Sequence, residues 1–202
     1  NCCYRYNISI NDGFRVKGEN GAHQEGKVLW TSGYVGNVRN RTGPFNSYIY
    51  NNTIYVDKSI RSCFSISPTT EGLLIANNIF YILGETADVS GDQAQWDHGG
   101  SSSIPNAVFS NNLYAREKTV PPSLPVQDRR PMYGDPAFRN PGGDEPADYL
   151  PGNTEMIRDR GMQVQPLDGD TIGLMIGLQV DVDYFGNPVT DLPDLGAIEL
   201  NH

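Results

Sequence analysis

Residues 50–56, "YNNTIYV", decide the fold, because an asparagine pair interrupts what would otherwise read as a continuous β-strand. Residues of high β-propensity stand on both sides of the pair. The same interruption recurs in "ANNIFYI" (76–82) and "SNNLYA" (110–115), and "RYNISIN" (5–11) is a weaker version with a single asparagine. The second asparagines of the three pairs are 26 and 34 residues apart. One short strand–turn–strand unit that recurs with insertions predicts a stacked repeat architecture.

A stacked repeat explains why asparagine is used at the interruption. Asparagine tolerates the left-handed backbone conformation that a sharp bend requires, and its amide bonds to nearby backbone. In stacked strands, equivalent residues lie about 4.8 Å apart, so each amide can donate to one neighbour and accept from the other. We therefore predict a structural role for the second asparagine of each pair. The predicted corners are Asn52, Asn78 and Asn112, and the predicted inward residues are Ile54, Phe80 and at least one of Ile49, Ile75 and Phe109.

Longer stretches resemble a known family. The segment "SYIYNNTIYVDKSIRSCFSISPTTEGLLIANNIFYI" (47–82) resembles two coils of a right-handed parallel β-helix of the pectate-lyase-like superfamily. The segment "RYNISINDG" (5–13) resembles coils of secreted bacterial β-helix proteins that take part in polysaccharide breakdown. The segments "GDPAFRNPGG" (134–143) and "DVDYFGNPVTDLPDLGAIEL" (181–200) are similar to the terminal segments of such proteins.

The resemblance implies an all-β fold, namely a right-handed parallel β-helix (solenoid) with long loop insertions and an irregular C-terminal cap. Residues 1–115 are then β-helix coils, and residues 116–202 are a capping segment packed on the same solenoid. The chain opens in strand-like sequence, so we expect further coils of the same protein upstream as a packing partner. We also expect residues 194–200 to form a strand paired with the solenoid, and residues 170–178 are compatible with a helix.

Composition narrows the classes of partner. No apolar run reaches 18 residues, so no membrane span is expected, and a pI of 4.7 without a basic aromatic stripe argues against nucleic acid. Charge is uneven, because residues 1–62 carry a net +4 while the remaining residues carry −13. A basic region on an acidic protein attracts anionic ligands.

The resemblance implies a carbohydrate-active protein that acts on an extracellular polysaccharide, expected to be acidic, and a bacterial protein that is secreted, periplasmic or on the cell surface. Whether it is an enzyme stays open, because this superfamily includes lyases, hydrolases, epimerases, phage tailspikes and adhesins. Polysaccharide lyase or glycoside hydrolase chemistry is favoured. The alternative is a non-catalytic β-helix that binds glycans or builds a cell-surface or phage structure.

The richest stretch for chemistry is 11–27, "NDGFRVKGENGAHQEGK". A uronate lyase needs a cation beside the sugar carboxylate, a base for the C5 proton and an acid for the leaving oxygen. Arg15 with Lys17 (or Lys27) could supply the charge, and His23 or a lysine could be the base.

A glycosidase would use two carboxylates of the same stretch. Asp12 with Glu25, or Glu19 with Glu25, are the nearest pairs, and the competing interpretation is a solvated glycine-rich loop. Spacing alone does not place these side chains on one face. The candidate catalytic residues are Arg15, Lys17, His23 and Glu25.

A second candidate site is "WDHGG" (96–100), inside the loop-like stretch 84–105. The ring of Trp96 could stack on a sugar, and Asp97 with His98 could form a carboxylate–imidazole pair. The competing interpretation is a tryptophan packed under a long loop. We predict that Trp96, Asp97 and His98 bind substrate and that the Trp96 and His98 side chains contact the same sugar chain as the first stretch.

No cofactor motif is present in the sequence. Calcium is the one metal considered, because "DGD" (168–170) and "DVD" (181–183) could supply oxygen ligands. Neither motif continues as an EF-hand loop, so no cofactor is expected to be required.

Overall fold

A computed structural model describes residues 1–13, 26–36, 40–89, 104–121, 123–189 and 192–200. In that part of the chain the fold is all-β, with parallel sheets and almost no helix, as expected. No helix there has both the length and the apolar character needed to cross a membrane.

The strands are β1 (Cys2–Arg5), β2 (Ile8–Ile10), β3 (Lys27–Thr31), β4 (Phe45–Tyr50), β5 (Thr53–Val56), β6 (Cys63–Ile66), β7 (Glu71–Ala76), β8 (Ile79–Ile82), β9 (Ala107–Ser110), β10 (Leu113–Tyr114) and β11 (Met132–Tyr133). The helices are the 3₁₀ segments Glu117–Thr119 and Pro146–Tyr149 and the single turn α1 (Thr154–Ile157).

From β1 to β10, each strand belongs to a different sheet from the strand before it. Sheet 1 has the order β1-β4-β7-β9, sheet 2 has the order β11-β10-β8-β5-β2, and sheet 3 is β3-β6. Every pairing between these strands is parallel, and β4, for example, lies between β1 and β7. We call each passage of the chain through the sheets a rung: rung 1 is β1–β3, rung 2 is β4–β6, rung 3 is β7–β8 and rung 4 is β9–β10.

The asparagine pairs lie where the chain passes from sheet 1 to sheet 2. The first asparagine of each pair takes the left-handed conformation, with φ of 49° at Asn51, 56° at Asn77 and 63° at Asn111. In rung 1 that position is Tyr6, with φ of 51°, and Asn7 follows it. The single asparagine of the weaker unit thus corresponds to the second member of each pair.

The interior between the sheets is apolar. Ile54 pairs in register with Phe80, and Ile75 lies between Ile49 and Phe109 in sheet 1. Ile54, Ile75, Phe80 and Phe109 are buried, and Ile49 packs partly buried against the same cluster. The predicted inward positions are therefore confirmed. Alternation along each strand explains this, because every second side chain of a strand points to the same face.

C-terminal residues cover the outer faces of two sheets. Phe138, Tyr149, Ile157, Leu195 and Ile198 pack on the outward residues of sheet 2, and Val164, Leu167 and Leu178 pack on those of sheet 1. Both outer faces are apolar, with residues such as Ile79 and Leu74 almost completely buried. The tail therefore removes apolar surface of the sheets from water, which stabilises the fold by about 25 cal/mol per Å² of that surface.

Two expectations for the tail are wrong in detail. Residues 194–200 pack on sheet 2 but form no strand, because Gly196 has φ of +85° and the N–H of Leu200 donates to the Asp194 carboxylate. Residues 170–178 form no helix, because the Asp170 carboxylate accepts from nearby N–H groups to close a turn and Gly173 has a positive φ.

Candidate functional site

The candidate residues predicted from the sequence lie outside the described residues. Arg15, Lys17, His23 and Glu25 fall within 14–25, and Trp96, Asp97 and His98 fall within 90–103. Their roles stay predictions. The described residues at the ends of these two segments, and the cavities beside them, form the candidate site.

The second asparagines form a line of side-chain hydrogen bonds, which we call the inner ladder. Each amide nitrogen donates to the carboxamide oxygen of the next rung, from Asn7 to Asn52 at 3.1 Å, from Asn52 to Asn78 at 2.9 Å and from Asn78 to Asn112 at 2.9 Å. Asn112 then donates to Asp128 at 2.8 Å. Asn52, Asn78 and Asn112 are completely buried. These polar groups are satisfied inside the protein, as a structural role requires.

The first asparagines form a second line with the opposite direction of donation. Asn111 donates to Asn77 and Asn77 donates to Asn51, both at 3.0 Å. The same amides also donate to tail carbonyls, namely those of Arg160, Met162 and Asp194. The amides of Asn51, Asn77 and Asn111 are therefore engaged by protein contacts.

A cavity of about 570 Å³ opens at rung 1, and we call it the first-rung pocket. Its wall includes Tyr4 and Trp30, which are 43% and 37% exposed, and the ammonium of Lys27 lies 4.9 Å from the centroid of the Trp30 ring. Asp12 also lines it and accepts a hydrogen bond from the hydroxyl of Ser9. An accessible aromatic face can stack on a sugar ring, an ammonium can pair with a sugar carboxylate, and a carboxylate such as Asp12 can accept from a sugar hydroxyl.

The segment 14–25 leaves and re-enters the described structure at one point beside this pocket. The N–H of Gly26 donates to the carbonyl of Gly13 at 2.8 Å. Both glycines have positive φ, and a Cβ on Gly26 would lie 2.1 Å from the carbonyl oxygen of Arg61. Only glycine fits this closure, so the two ends of the segment are held together at the pocket edge.

A second cavity, of about 580 Å³, lies at the corner where the chain leaves sheet 2, and we call it the corner groove. Its lining comes from the turns that follow β5, β8 and β10. The lining residues are Lys58, Ser59, Ile60, Arg61, Leu83, Gly84, Glu85, Thr86 and Lys118.

Hydrogen bonds join the three turns of the corner groove. The N–H of Ser62 donates to the carbonyl of Glu85, and the hydroxyl of Thr86 donates to the carbonyl of Thr119, both at 2.9 Å. Lys58, Arg61 and Lys118 are exposed, and within the described ranges none of them forms an ion pair. Sequence reasoning missed this groove. The only sequence signal was the +4 charge of residues 1–62, which includes Lys58 and Arg61.

Among the described residues of the tail, three carboxylates are buried. Asp183, Asp194 and Glu199 are each less than a tenth exposed. Burial raises the pKa of Glu199 to about 7, and the nearby Asp194 and Asp183 charges act in the same direction. Burial also raises the pKa of Asp194. The N–H of Glu199 donates to Asp183 at 2.7 Å, so these groups hold the tail backbone in place.

The candidate calcium motifs are engaged by protein donors. Asp170 accepts from the Tyr48 hydroxyl and the Asn1 amide, and Asp183 accepts from the N–H of Phe185 and from both nitrogens of Asn187. Across the described ranges, no group of three or more His, Cys, Asp or Glu side chains could hold a metal ion. Calcium binding stays untested by this geometry.

Comparison with known proteins adds no assignment. No protein-family model matches the chain, and no curated protein matches it significantly in sequence.

Proposed function

We propose that this chain is a right-handed parallel β-helix protein that acts on an acidic extracellular polysaccharide, by lyase or glycoside hydrolase chemistry. The observation that carries the proposal is the first-rung pocket. There, the accessible rings of Tyr4 and Trp30 and the ammonium of Lys27 lie beside the point where residues 14–25 leave and re-enter. Residues 14–25 include the candidate catalytic residues Arg15, Lys17, His23 and Glu25.

The strand order supports the β-helix part of the proposal. Successive strands pass from sheet 1 to sheet 2, and in the first two rungs to sheet 3, and each rung pairs in parallel with the next. Crossover connections between parallel strands are almost always right-handed. Under this proposal, residues 1–115 are the coils and residues 116–202 are the cap. The protein is then secreted, periplasmic or on the cell surface of a bacterium.

In a lyase reaction, Lys27 together with Arg15 and Lys17 would neutralise the sugar carboxylate. His23 would take the C5 proton, the electron pair would form the C4–C5 double bond, and the glycosidic oxygen would leave with a proton from an acid. In a hydrolase reaction, Glu25 with Asp12 or Glu19 would be the carboxylate pair, and water would be added across the cleaved bond.

A non-catalytic glycan-binding or surface-structural β-helix is the second candidate. It is favoured by the aromatic character of the pocket, since Tyr4 and Trp30 suit sugar binding without any chemistry. Product analysis separates the two candidates, because only an enzyme releases new chain ends.

The test is incubation of the protein with a panel of acidic and neutral polysaccharides. A lyase releases unsaturated products that absorb in the ultraviolet, a hydrolase releases reducing ends without that absorbance, and a binding protein releases neither but retains the glycan. Trp30→Ala should abolish product release or binding, and Tyr184→Ala is the control, because Tyr184 is similarly exposed (47%) and does not line the pocket. The absence of both products and binding with every acidic polysaccharide of the panel would refute the proposal.

A further inference from the structure

We propose that the corner groove is a separate binding site for an anionic glycan whose charged groups fall on alternate sugars. This inference rests on the proposed function, because it assumes a glycan ligand, and it names the class of that ligand. It concerns a surface distinct from the first-rung pocket, with a different set of lining residues.

The positive charges of the groove are spaced two rungs apart. Lys58 and Arg61 belong to the turn that follows β5 in rung 2, and Lys118 belongs to the turn that follows β10 in rung 4. Neighbouring strands lie about 4.8 Å apart, so two rungs span about 9.6 Å along the stack, which is about the length of two hexose units. A glycan lying along the stack thus meets a cation at every second sugar.

The rung between them contributes the opposite charge. Glu85 lies in the turn that follows β8 in rung 3, it lines the groove, and it is exposed. Gly84 beside it has no side chain, and a Cβ there would lie 2.5 Å from the carbonyl of Ile60, so the backbone approaches closely and no cation fits at that position. A carboxylate on the middle sugar would be repelled by Glu85, whereas a neutral sugar would not.

A fourth cation near the groove is already engaged. Arg116 donates from its guanidinium to the carbonyl of Leu83 at 2.8 Å and does not line the cavity. Among the residues that line the cavity, the charges are therefore positive, negative and positive along the stack, and Asp57 and Glu117 of the same turns do not line it. This pattern selects an alternating glycan over a uniformly charged one, and discrimination by a repulsive group is a common source of specificity.

The experiment compares binding of three fluorescently labelled hexasaccharides to the full chain at low salt. The probes are alternating glucuronic acid and N-acetylglucosamine, a hexagalacturonate with a charge on every sugar, and a neutral chito-hexasaccharide. We expect the alternating probe to bind about fivefold tighter than the hexagalacturonate, because one like-charge contact is relieved. The neutral probe should bind weakest.

Three variants locate the effect. The double variant Lys58→Ala/Lys118→Ala should bind the alternating probe more weakly and with a smaller salt dependence. Arg139 is also exposed, and Arg139→Ala should change neither the affinity nor the salt dependence. Glu85→Lys should reverse the preference, so that hexagalacturonate binds at least as tightly as the alternating probe. All these side chains are exposed, so folding should be preserved, and circular dichroism checks it.

Each outcome is decisive. Equal binding of both anionic probes, with no change in Glu85→Lys, overturns the inference but leaves the proposed function standing. A preference for the alternating probe that survives the double lysine variant places the site elsewhere and also overturns it. Failure of the wild-type protein to bind either anionic probe overturns the inference, and the polysaccharide panel described above then decides the proposed function separately.

Discussion

The amide nitrogen of Asn112 donates to a carboxylate oxygen of Asp128 at 2.8 Å, so a carboxylate ends the inner ladder. The other oxygen of Asp128 accepts from the N–H of Asn111 at 3.0 Å, and the Tyr114 hydroxyl donates to the first oxygen at 3.3 Å. A line of amides that all donate in one direction needs an acceptor at its end. Asp128 is that acceptor, and it belongs to the segment that leaves rung 4.

Replacing this acceptor should therefore destabilise the protein. In Asp128→Ala, the N–H of Asn111 loses its acceptor, and the buried amide of Asn112 keeps only its bonds to the carbonyls of Ile75 and Ser110. A buried donor left without a partner costs about 1–3 kcal/mol. Urea unfolding measures the free energy change. The exposed Asp144→Ala is the matched control and should change stability by less than about 0.5 kcal/mol. Equal stability of the two variants would show that Asp128 does not end the ladder.

The interior of the ladder should be at least as sensitive. Asn78 accepts from both the amide and the N–H of Asn52 and donates to the oxygen of Asn112. Asn78→Ala should cost about 1–3 kcal/mol for each group left without a partner, measured by thermal and urea unfolding. Asn140→Ala, at an exposed position, is the control. A variant of unchanged stability would mean that the ladder contributes nothing.

Gly196 tests how closely the tail packs on sheet 2. It has φ of +85°, and a Cβ there would lie 2.6 Å from Ile79 and 2.7 Å from the hydroxyl of Thr53. Gly186 has the same φ of +85°, but no atom lies within 4 Å of the position that a Cβ would take. Gly196→Ala should therefore be less stable than Gly186→Ala by about 1–3 kcal/mol, since only the first overpacks an interface. Equal unfolding free energies would indicate that the tail is not tightly packed.

Glu199 should make stability depend on pH. Its pKa is raised from 4.5 to about 7 in the folded chain, chiefly by burial. The folded chain then holds this proton more tightly than the unfolded chain. The resulting contribution of Glu199 to the free energy of unfolding is fully present below about pH 4.5 and is lost as the pH rises through about 7. Glu199→Gln should flatten this fall in the free energy of unfolding between about pH 4.5 and about pH 7. An unchanged pH profile in the variant would contradict the raised pKa.

The strands and the corners were predictable because their signal is local and periodic. Alternation placed Ile54 and Phe80 inside, and the repeated Asn-Asn pair marked each bend. The sequence did not show that the first residue of each Asn-Asn pair makes the left-handed bend and the second forms the inner ladder. Asn7 has no asparagine before it, because Tyr6 adopts the left-handed conformation at that position and the ladder requires only the second residue.

The tail and the corner groove were not predictable, because their contacts join residues far apart in sequence. Residues 194–200 resemble a strand, yet the Asp194 carboxylate takes the N–H of Leu200 that strand pairing would need. In the corner groove, Lys58 and Lys118 meet only through stacking of the rungs. Lys118 belongs to the acidic part of the sequence, so a count of charges along the chain does not reveal it.

The measurement that tests the central claim most directly is binding of an acidic polysaccharide compared with its carboxyl-reduced, neutral counterpart, at about 0.01 M and about 0.15 M salt. We predict that the acidic glycan binds more tightly, that salt weakens its binding, and that the neutral counterpart binds weakly at both concentrations. Arg15→Ala and Lys17→Ala should reduce the salt dependence of acidic-glycan binding, whereas Trp96→Ala should weaken that binding at both salt concentrations. Equal affinity for the two glycans, or no binding of either, would contradict the account.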